Sequence, residues 1–266
     1  MKKIALYCVN YHSYASLTAY LSSIDQAASK AANDAHIDVY VADNTEQNTQ
    51  DIDYQSQHIS IRLFPYHQNL GYFGAIKKMM AESIVSNYDF VIISNVDLTL
   101  PEDCFQKLST TTLNDDIAWI APSIYSEKRH YDRNPQAVNR YPLTKLRILR
   151  FAFKYPVIHY VYTKTLLKRK RLQKEHQPGI IYSGHGAFII LTHTFFEKCP
   201  TIDYPLFLYG EELYLAETCR KLHLKVVYRP DIKILDQESV STSKMRRRLY
   251  YRYNYEGLDY LIKTFY

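Results

Sequence analysis

"VIISNVDLTLP", residues 91–101, begins as an unbroken apolar run and then sets Asn95 and Asp97 where the run stops. Val and Ile in succession, without alternation, read as a strand buried on both faces, which belongs in a mostly parallel sheet sandwiched between helices. Ligands of open α/β sheets bind outside the carboxyl ends of the strands. A carboxylate at that end is therefore placed for chemistry rather than for packing. Asp97 stands four residues ahead of Pro101, too early to cap a helix that Pro101 would open with Glu102 and Asp103 in its first turn.

The pattern recurs on either side of this stretch. "KIALYCV" (3–9), "IDVYVAD" (37–43), "SIRLFPY" (60–66), "DFVIISN" (89–95) and "AWIAPSI" (118–124) are short and rich in strand formers, and helix-like segments near 14–32, 72–86 and 101–108 separate them. This β-α-β rhythm predicts an α/β fold, a Rossmann-like mixed sheet, mostly parallel, covered by helices on both faces. The first four strands each end in polar residues: "VNYH" (9–12), "ADNTEQN" (42–48), "HQNLGYFGA" (67–75) and "SNVD" (94–97). In a parallel sheet these ends share one rim, which suits a polar, phosphorylated ligand. Taken singly, Asp43-Asn44 and Asn69-Leu70-Gly71 read equally well as turns. Their recurrence at successive strand ends is what argues for a site.

A second constellation is "YGEELYLAETCRK", 209–221. Leu213, Leu215, Ala216, Cys219 and Leu222 fall on one helical face, which leaves Glu211 and Glu212 in the first turn. Paired carboxylates there gain from the helix dipole, and that alone accounts for many such pairs.

Bulk properties narrow the class. The 266 residues, 47% hydrophobic, suffice for a sizeable core, and 26 Tyr against 7 Gly imply much amphipathic surface. Cys8, Cys104, Cys199 and Cys219 lack the spacing of a zinc site or a disulfide framework, so a reducing cytoplasm is expected. The apolar run Ile4 to Val9 is shorter than a signal-peptide core and reads as a first strand. The net charge of +6 is local: residues 140–174 hold eleven Lys or Arg and no acid, so the remainder is net negative. That segment, with interleaved aromatics, suits an anionic surface. No helix-turn-helix, zinc or RNP-type motif accompanies it, which argues against nucleic acid.

The ordered set Tyr11, Asp43-Asn44, Asn69-Leu70-Gly71-Tyr72, Asn95-Val96-Asp97, Gly186-Ala187-Phe188 and "FLYGEELYLAETCRKLHLKVVYRP" resembles the family 2 glycosyltransferases of the GT-A fold, among them small bacterial rhamnosyltransferase-like enzymes of surface polysaccharide synthesis. The resemblance spans most of residues 3–236 apart from 126–178. It implies a catalytic domain over 1–236 with a basic insertion at about 126–178, and a basic, Tyr-rich, helical tail over 237–266. It implies an inverting transfer from a UDP- or dTDP-sugar to a lipid-linked saccharide acceptor, with Mg²⁺ or Mn²⁺ as cofactor.

Residue by residue, the resemblance makes Asp97 the metal ligand, with Asp236 a further candidate near a position where the family often carries His. Tyr11, Asp43, Asn69, Gly71, Lys77 and Asn95 would bind the donor, with Tyr11 stacked on the base and Lys77 at the diphosphate. Gly184, His185 and Gly186 would line the acceptor floor, and Glu212 would be the base with Glu211 in support. The family more often has Asp at the position of Glu212 and Asn where Ile76 and Lys77 stand. Residues 140–174 and the tail would face an anionic membrane, making the protein peripheral on the inner face of the cell membrane. Two other readings stay open: an anionic-surface or nucleic-acid binder on an α/β scaffold, and a non-catalytic sugar-nucleotide sensor.

Overall fold

The computed structural model describes residues 1–47, 52–159, 176–237 and 247–266. Asn48 of the second strand-end motif, residues 160–174 of the basic segment and residues 238–246 of the tail lie outside the described residues. Among the described residues, ten strands form one sheet. Its main path runs β3 (Ile59–Pro65), β2 (Ala35–Asp43), β1 (Lys2–Asn10), β4 (Phe90–Ser94), β9 (Phe188–Thr192), β6 (Ile117–Ser126), β10 (Lys225–Asp236) and β5 (Leu98–Thr99). Two short strands sit off this path: β7 (Tyr131–Asp132) pairs with β6, and β8 (Gly179–Ile181) pairs with β10. The pairings β3·β2, β2·β1, β1·β4 and β6·β10 are parallel, whereas β9 runs antiparallel to both its neighbours, β4 and β6.

The strand readings at 3–9, 37–43, 60–66, 89–95 and 118–124 coincide with β1, β2, β3, β4 and β6 within a few residues. Alternate side chains of β1 explain why both faces are covered. Ile4, Leu6 and Cys8 join a core under α1 (Tyr14–Lys30) and α3 (Cys104–Ser109), where Leu17, Leu21, Ile24 and Phe105 are buried. Ala5 and Tyr7 join the opposite core, with Phe73, Ile76 and Met79 of α2 (Tyr72–Ala81) and Phe195 and Phe196 of α4 (His193–Lys198), counted here without the basic segment. Helix α2 stops short of the expected residue 86, and a single 3-10 turn (Val85–Asn87) follows it. The third helix starts at Cys104, with Asp103 just ahead of it rather than in its first turn.

The predicted helix at 209–221 is Glu211–Lys221, here α5. It buries Tyr214, Leu215, Ala216 and Cys219, and also Glu217, which the apolar pattern alone does not single out. A helix in the basic segment, Leu143–Lys154 (α6), packs against the last helix, Arg247–Phe265 (α7). Among the described residues no helix is long and apolar enough to cross a membrane.

Burial of Glu217 needs compensation, and Arg140 provides most of it. The guanidinium donates to both carboxylate oxygens, at 2.6 and 3.1 Å, donates again to the Phe265 carbonyl at 3.0 Å, and stacks on the Tyr266 ring. Burial by itself would raise the Glu217 pKa, but the bonds from Arg140, Arg220 and Tyr182 outweigh it and hold the carboxyl below its ordinary range. This clamp ties the chain's end to α5. Arg140→Ala should destabilise the protein by about 2 kcal/mol, the cost of removing a charged partner from a buried carboxylate. A depressed carboxylate stabilises the fold above its ordinary value of 4.5 and loses that contribution as pH falls through the lower folded value. Urea unfolding should therefore show the gap between wild type and Arg140→Ala closing on acidification.

Candidate functional site

Parallel pairing of β3, β2, β1 and β4 brings their carboxyl ends to one edge, where Asn10 lies in register with Asp43, Asp43 with Pro65, and Cys8 with Ser94. Asp43 is almost fully buried there. Its carboxylate accepts from Asn10 Nδ2 at 3.1 Å, the Tyr14 hydroxyl at 2.9 Å and the Thr45 backbone N–H at 3.1 Å. Thr45 Oγ1 accepts from the His12 backbone N–H, which folds the Tyr11–His12 turn over the same corner and leaves Tyr11 on its rim, 40% exposed.

Asn69 Oδ1 accepts from the Gly71 N–H, and Asn44 Nδ2 donates to the Gly71 carbonyl. Gly71 has φ +74°, and a Cβ at this position would run into the carbonyl oxygen of Phe207, which itself accepts from the Tyr72 N–H. Only glycine fits both the backbone angle and the approach. Lys77 points elsewhere: its ammonium is paired with Asp203.

Asn95 and Asp97 lie in the turn between β4 and β5, both partly exposed. The Asn95 N–H donates to the Ala187 carbonyl, so the segment 183–187 is drawn alongside. Asp236, the last residue of β10, pairs in register with Leu98, which brings it beside Asp97 in the sheet. Its carboxylate, however, is in an ion pair with Arg133 at 2.8 Å.

The glycines of the floor differ in what they face. A Cβ at Gly184 would meet Ala121 and the Trp119 ring at 2.7 and 2.9 Å, so the missing side chain there admits the core. A Cβ at Gly186 would lie 3.5 Å from Glu212 Oε2, so that carboxylate borders the floor. Between them, His185 Nδ1 accepts from the Ala187 N–H, which leaves its proton on Nε2, while the His185 backbone N–H donates to Asn134 Oδ1. Burial and the neighbouring Arg133 lower its pKa to about 4, so this imidazole is neutral at physiological pH.

Glu211 and Glu212 begin α5 directly after Gly210, which is left-handed at φ +96°. Burial, and then the charge of Glu212, raise the Glu211 pKa to about 8. Glu212 is also raised, by burial. Tyr72, whose hydroxyl pKa burial pushes far up, feels Glu211, Cys8 and Asp97 in that order, so one phenol lies within the field of both acidic centres. Among the described residues, Asn44 Oδ1, the Tyr72 hydroxyl and Glu211 Oε1 are buried without a hydrogen-bond partner. Such atoms are uncommon in a packed interior.

Sequence reading named Tyr72 within a motif but gave it no role, and it missed Arg133 and Asn134 altogether. Nothing local distinguishes "YDRNP" from a loop. Its importance comes from Asp132, which accepts from the Ile124 and Asn134 N–H groups and from the Tyr228 hydroxyl and so fixes the turn against β6 and β10.

Asp97 offers carboxylate oxygens at the partly exposed turn after β4. Among the described residues no group of three or more His, Cys, Asp or Glu gathers to hold a metal. A hard divalent cation that takes most of its ligands from phosphate and water needs only one or two protein carboxylates, and Asp97 at the rim fits that requirement.

No known protein family matches the chain by sequence, and no curated protein sequence does. Solved structures do match. GalNAc-T7, in a crystal structure with UDP, GalNAc and Mn²⁺, superposes with a TM-score of 0.58 at 11% identity, over 89% of this chain and 44% of that one. S. aureus TarS superposes with a TM-score of 0.58 at 11% identity, over 98% of this chain and 39% of that one. Its fragment 1–349 gives 0.51 at 9% identity, over 88% and 60%. The fold is thus that of the GT-A glycosyltransferases, and the chain spans at most 60% of the length of these structures.

The protonation of Glu211 makes the site a cost to stability. A carboxyl raised from 4.5 to about 8 keeps, in the folded protein, a proton that the unfolded chain releases, so stability falls as pH rises through that window. Glu211→Gln removes the penalty. Its unfolding free energy should equal that of wild type below pH 4.5 and exceed it by more than ~1 kcal/mol at pH 8 in chemical denaturation.

Proposed function

We propose that the protein is an inverting, metal-dependent glycosyltransferase. In this reading it moves a hexosyl or deoxyhexosyl group from a UDP- or dTDP-sugar to a lipid-linked glycan in bacterial surface polysaccharide synthesis. The observation that carries the proposal is that, in a GT-A fold, the Tyr72 hydroxyl, which has no hydrogen-bond partner, lies near both the strand-end carboxylate Asp97 and the buried Glu211 of the pair Glu211-Glu212. The bound UDP, GalNAc and Mn²⁺ of GalNAc-T7 support the donor class and the metal.

On this reading the nucleotide lies across the ends of β1, β2 and β3, against Tyr11 and the corner held by Asp43, Asn69 and Gly71. Asn95 and Asp97 face its diphosphate. Lys77, committed to Asp203, reaches the diphosphate only by giving up that partner. Mg²⁺ or Mn²⁺ held by Asp97 would supply positive charge to the leaving diphosphate. The acceptor sits over Gly186, next to Glu212 Oε2. Glu212 takes the proton of the acceptor hydroxyl as its oxygen attacks the anomeric carbon from the face opposite the diphosphate. The carbon to phosphate-oxygen bond breaks with its electron pair going to the diphosphate, and the configuration inverts. Glu211, neutral at pH 7, adds no second charge beside the base and offers a hydrogen bond to the acceptor. The catalytic unit is taken as residues 1–236.

The test is a screen of UDP- and dTDP-sugars for hydrolysis and transfer by the purified chain, with Mn²⁺ and with chelator. Glu212→Gln should lower turnover ~10²- to 10⁴-fold with donor affinity retained, and Glu211→Gln should lower it less. Asp97→Ala should abolish transfer and metal-dependent nucleotide binding while leaving the melting temperature close to that of wild type. Donor binding without turnover in the wild type would identify a sugar-nucleotide sensor instead. Near-normal activity of Asp97→Ala in Mn²⁺ would remove the metal assignment.

A further inference from the structure

A cavity of about 800 Å³ lies between the end of α6 and the start of α7. Lys154 enters from one side and Arg247, Arg248 and Arg252 from the other, over walls formed in part by Phe153 and Tyr251. One acid stands close in sequence: Glu256, which accepts from Arg252 at 2.7 Å. The groove is therefore strongly cationic.

The surface beside it is apolar. Ile148, Phe151 and Tyr155 follow one another at helical spacing along α6 and its end, and are 57%, 53% and 44% exposed; Val157, on the groove wall, is 76% exposed. Leu146 and Ala152 take the buried side of the same helix. A helix with one face in the core and a second apolar face in water, flanked by Lys and Arg, has the pattern of an interfacial helix. Phe153, Tyr251 and Tyr255 line the groove and could stack on bases, but the highly exposed Ile148 and Val157 beside it offer a base no platform and suit acyl chains.

The groove is also wired to the cleft. On α7, Tyr250 and Tyr253 pack their rings against Tyr209 and Phe207, and Gly257 lies so close to Tyr209 that a Cβ there would fall 2.8 Å from its carbonyl oxygen. Residues 207–209 lead through Gly210 into Glu211, and the Phe207 carbonyl lies against Gly71 and accepts from the Tyr72 N–H.

We propose that the groove seats the phosphate headgroup of an anionic phospholipid, with Ile148, Phe151, Tyr155 and Val157 entering the adjoining acyl region, so that the cleft opens against a membrane surface. Each basic group near such a surface contributes about 1 kcal/mol of attraction, weakened by salt. This docking is independent of glycosyl transfer, and its test needs no sugar nucleotide.

The experiment is sedimentation of the full chain with vesicles of phosphatidylglycerol or of phosphatidylcholine, at low and high salt. Wild type should pellet with phosphatidylglycerol alone and be released by salt. Arg247→Ala/Arg248→Ala/Arg252→Ala should bind phosphatidylglycerol about a hundredfold more weakly, with an unchanged melting temperature. Lys3→Ala/Lys128→Ala/Lys198→Ala, which removes equal charge at exposed positions elsewhere, should bind like wild type. Val157→Ser/Phe151→Ser should weaken binding in a way that salt does not reproduce. Equal losses in the two triple variants, or binding to phosphatidylcholine as well, would overturn the proposal. So would tighter binding to single-stranded RNA than to the vesicles, an outcome that would assign the groove to nucleic acid.

Discussion

Everything at the cleft depends on strand β9. The sheet consists of a parallel block, β3-β2-β1-β4, and a second block built on β6 and β10, and β9 is the strand that joins them, antiparallel to both. Its register with β4 sets Ser94 opposite Phe188, so the residues just before Phe188 run beside those just after Ser94. Asn95 bonds to Ala187, and Gly186 meets the carboxylate of Glu212. One pairing thus aligns the end that carries Asp97 with the floor that borders α5. A slip of one residue would exchange the faces of β9 and withdraw this alignment.

The second constraint is where charge is buried. Glu217 and Asp236 are interior carboxylates answered by Arg140 and Arg133, so each is tied to a distant part of the chain. Glu211 is as deeply buried and has no such cation; its companion is another glutamate, and the result is a carboxyl that stays protonated near neutrality. Among the described residues, Glu217 and Asp236 are neutralised by arginine and Glu211 is not. An uncompensated buried carboxyl is the feature by which Glu211 stands out as a candidate for the proposed chemistry.

Much of the fold was legible in the sequence because it is written locally. Apolar runs of strand length, polar residues where they end, and helix periodicity between them located β1 to β4, β6 and the helices that cover them. The pair Glu211-Glu212 announced a helix start and α5 begins there. What stayed hidden is long-range. Nothing in "FIILT" states that it inserts between β4 and β6, since a short apolar run fits many positions in a sheet. The partners of Asp236 and Glu217 lie about a hundred residues or fewer upstream, at Arg133 and Arg140, and no spacing rule joins them. Gly184 looked equivalent to Gly186 because glycine in a sequence does not say whether a ligand or a tryptophan takes the space.

The ends of the sheet bear on how the protein avoids its own kind. An open sheet offers two unpaired edges, each a template for another strand. At one edge, β3 closes with Pro65, which has no N–H to donate, and exposes Arg62. At the other, the long strand β10 is never open along its whole length. Residues Val226 to Tyr228 are taken by β8, Leu235 and Asp236 by β5, and the stretch between carries an irregular register from Arg229 to Lys233. A two-residue strand and a kink leave an incoming chain too few consecutive groups to grip. The same β5 that seals this edge also carries the chain away from Asp97, so the piece that discourages aggregation is continuous with the turn that holds the carboxylate.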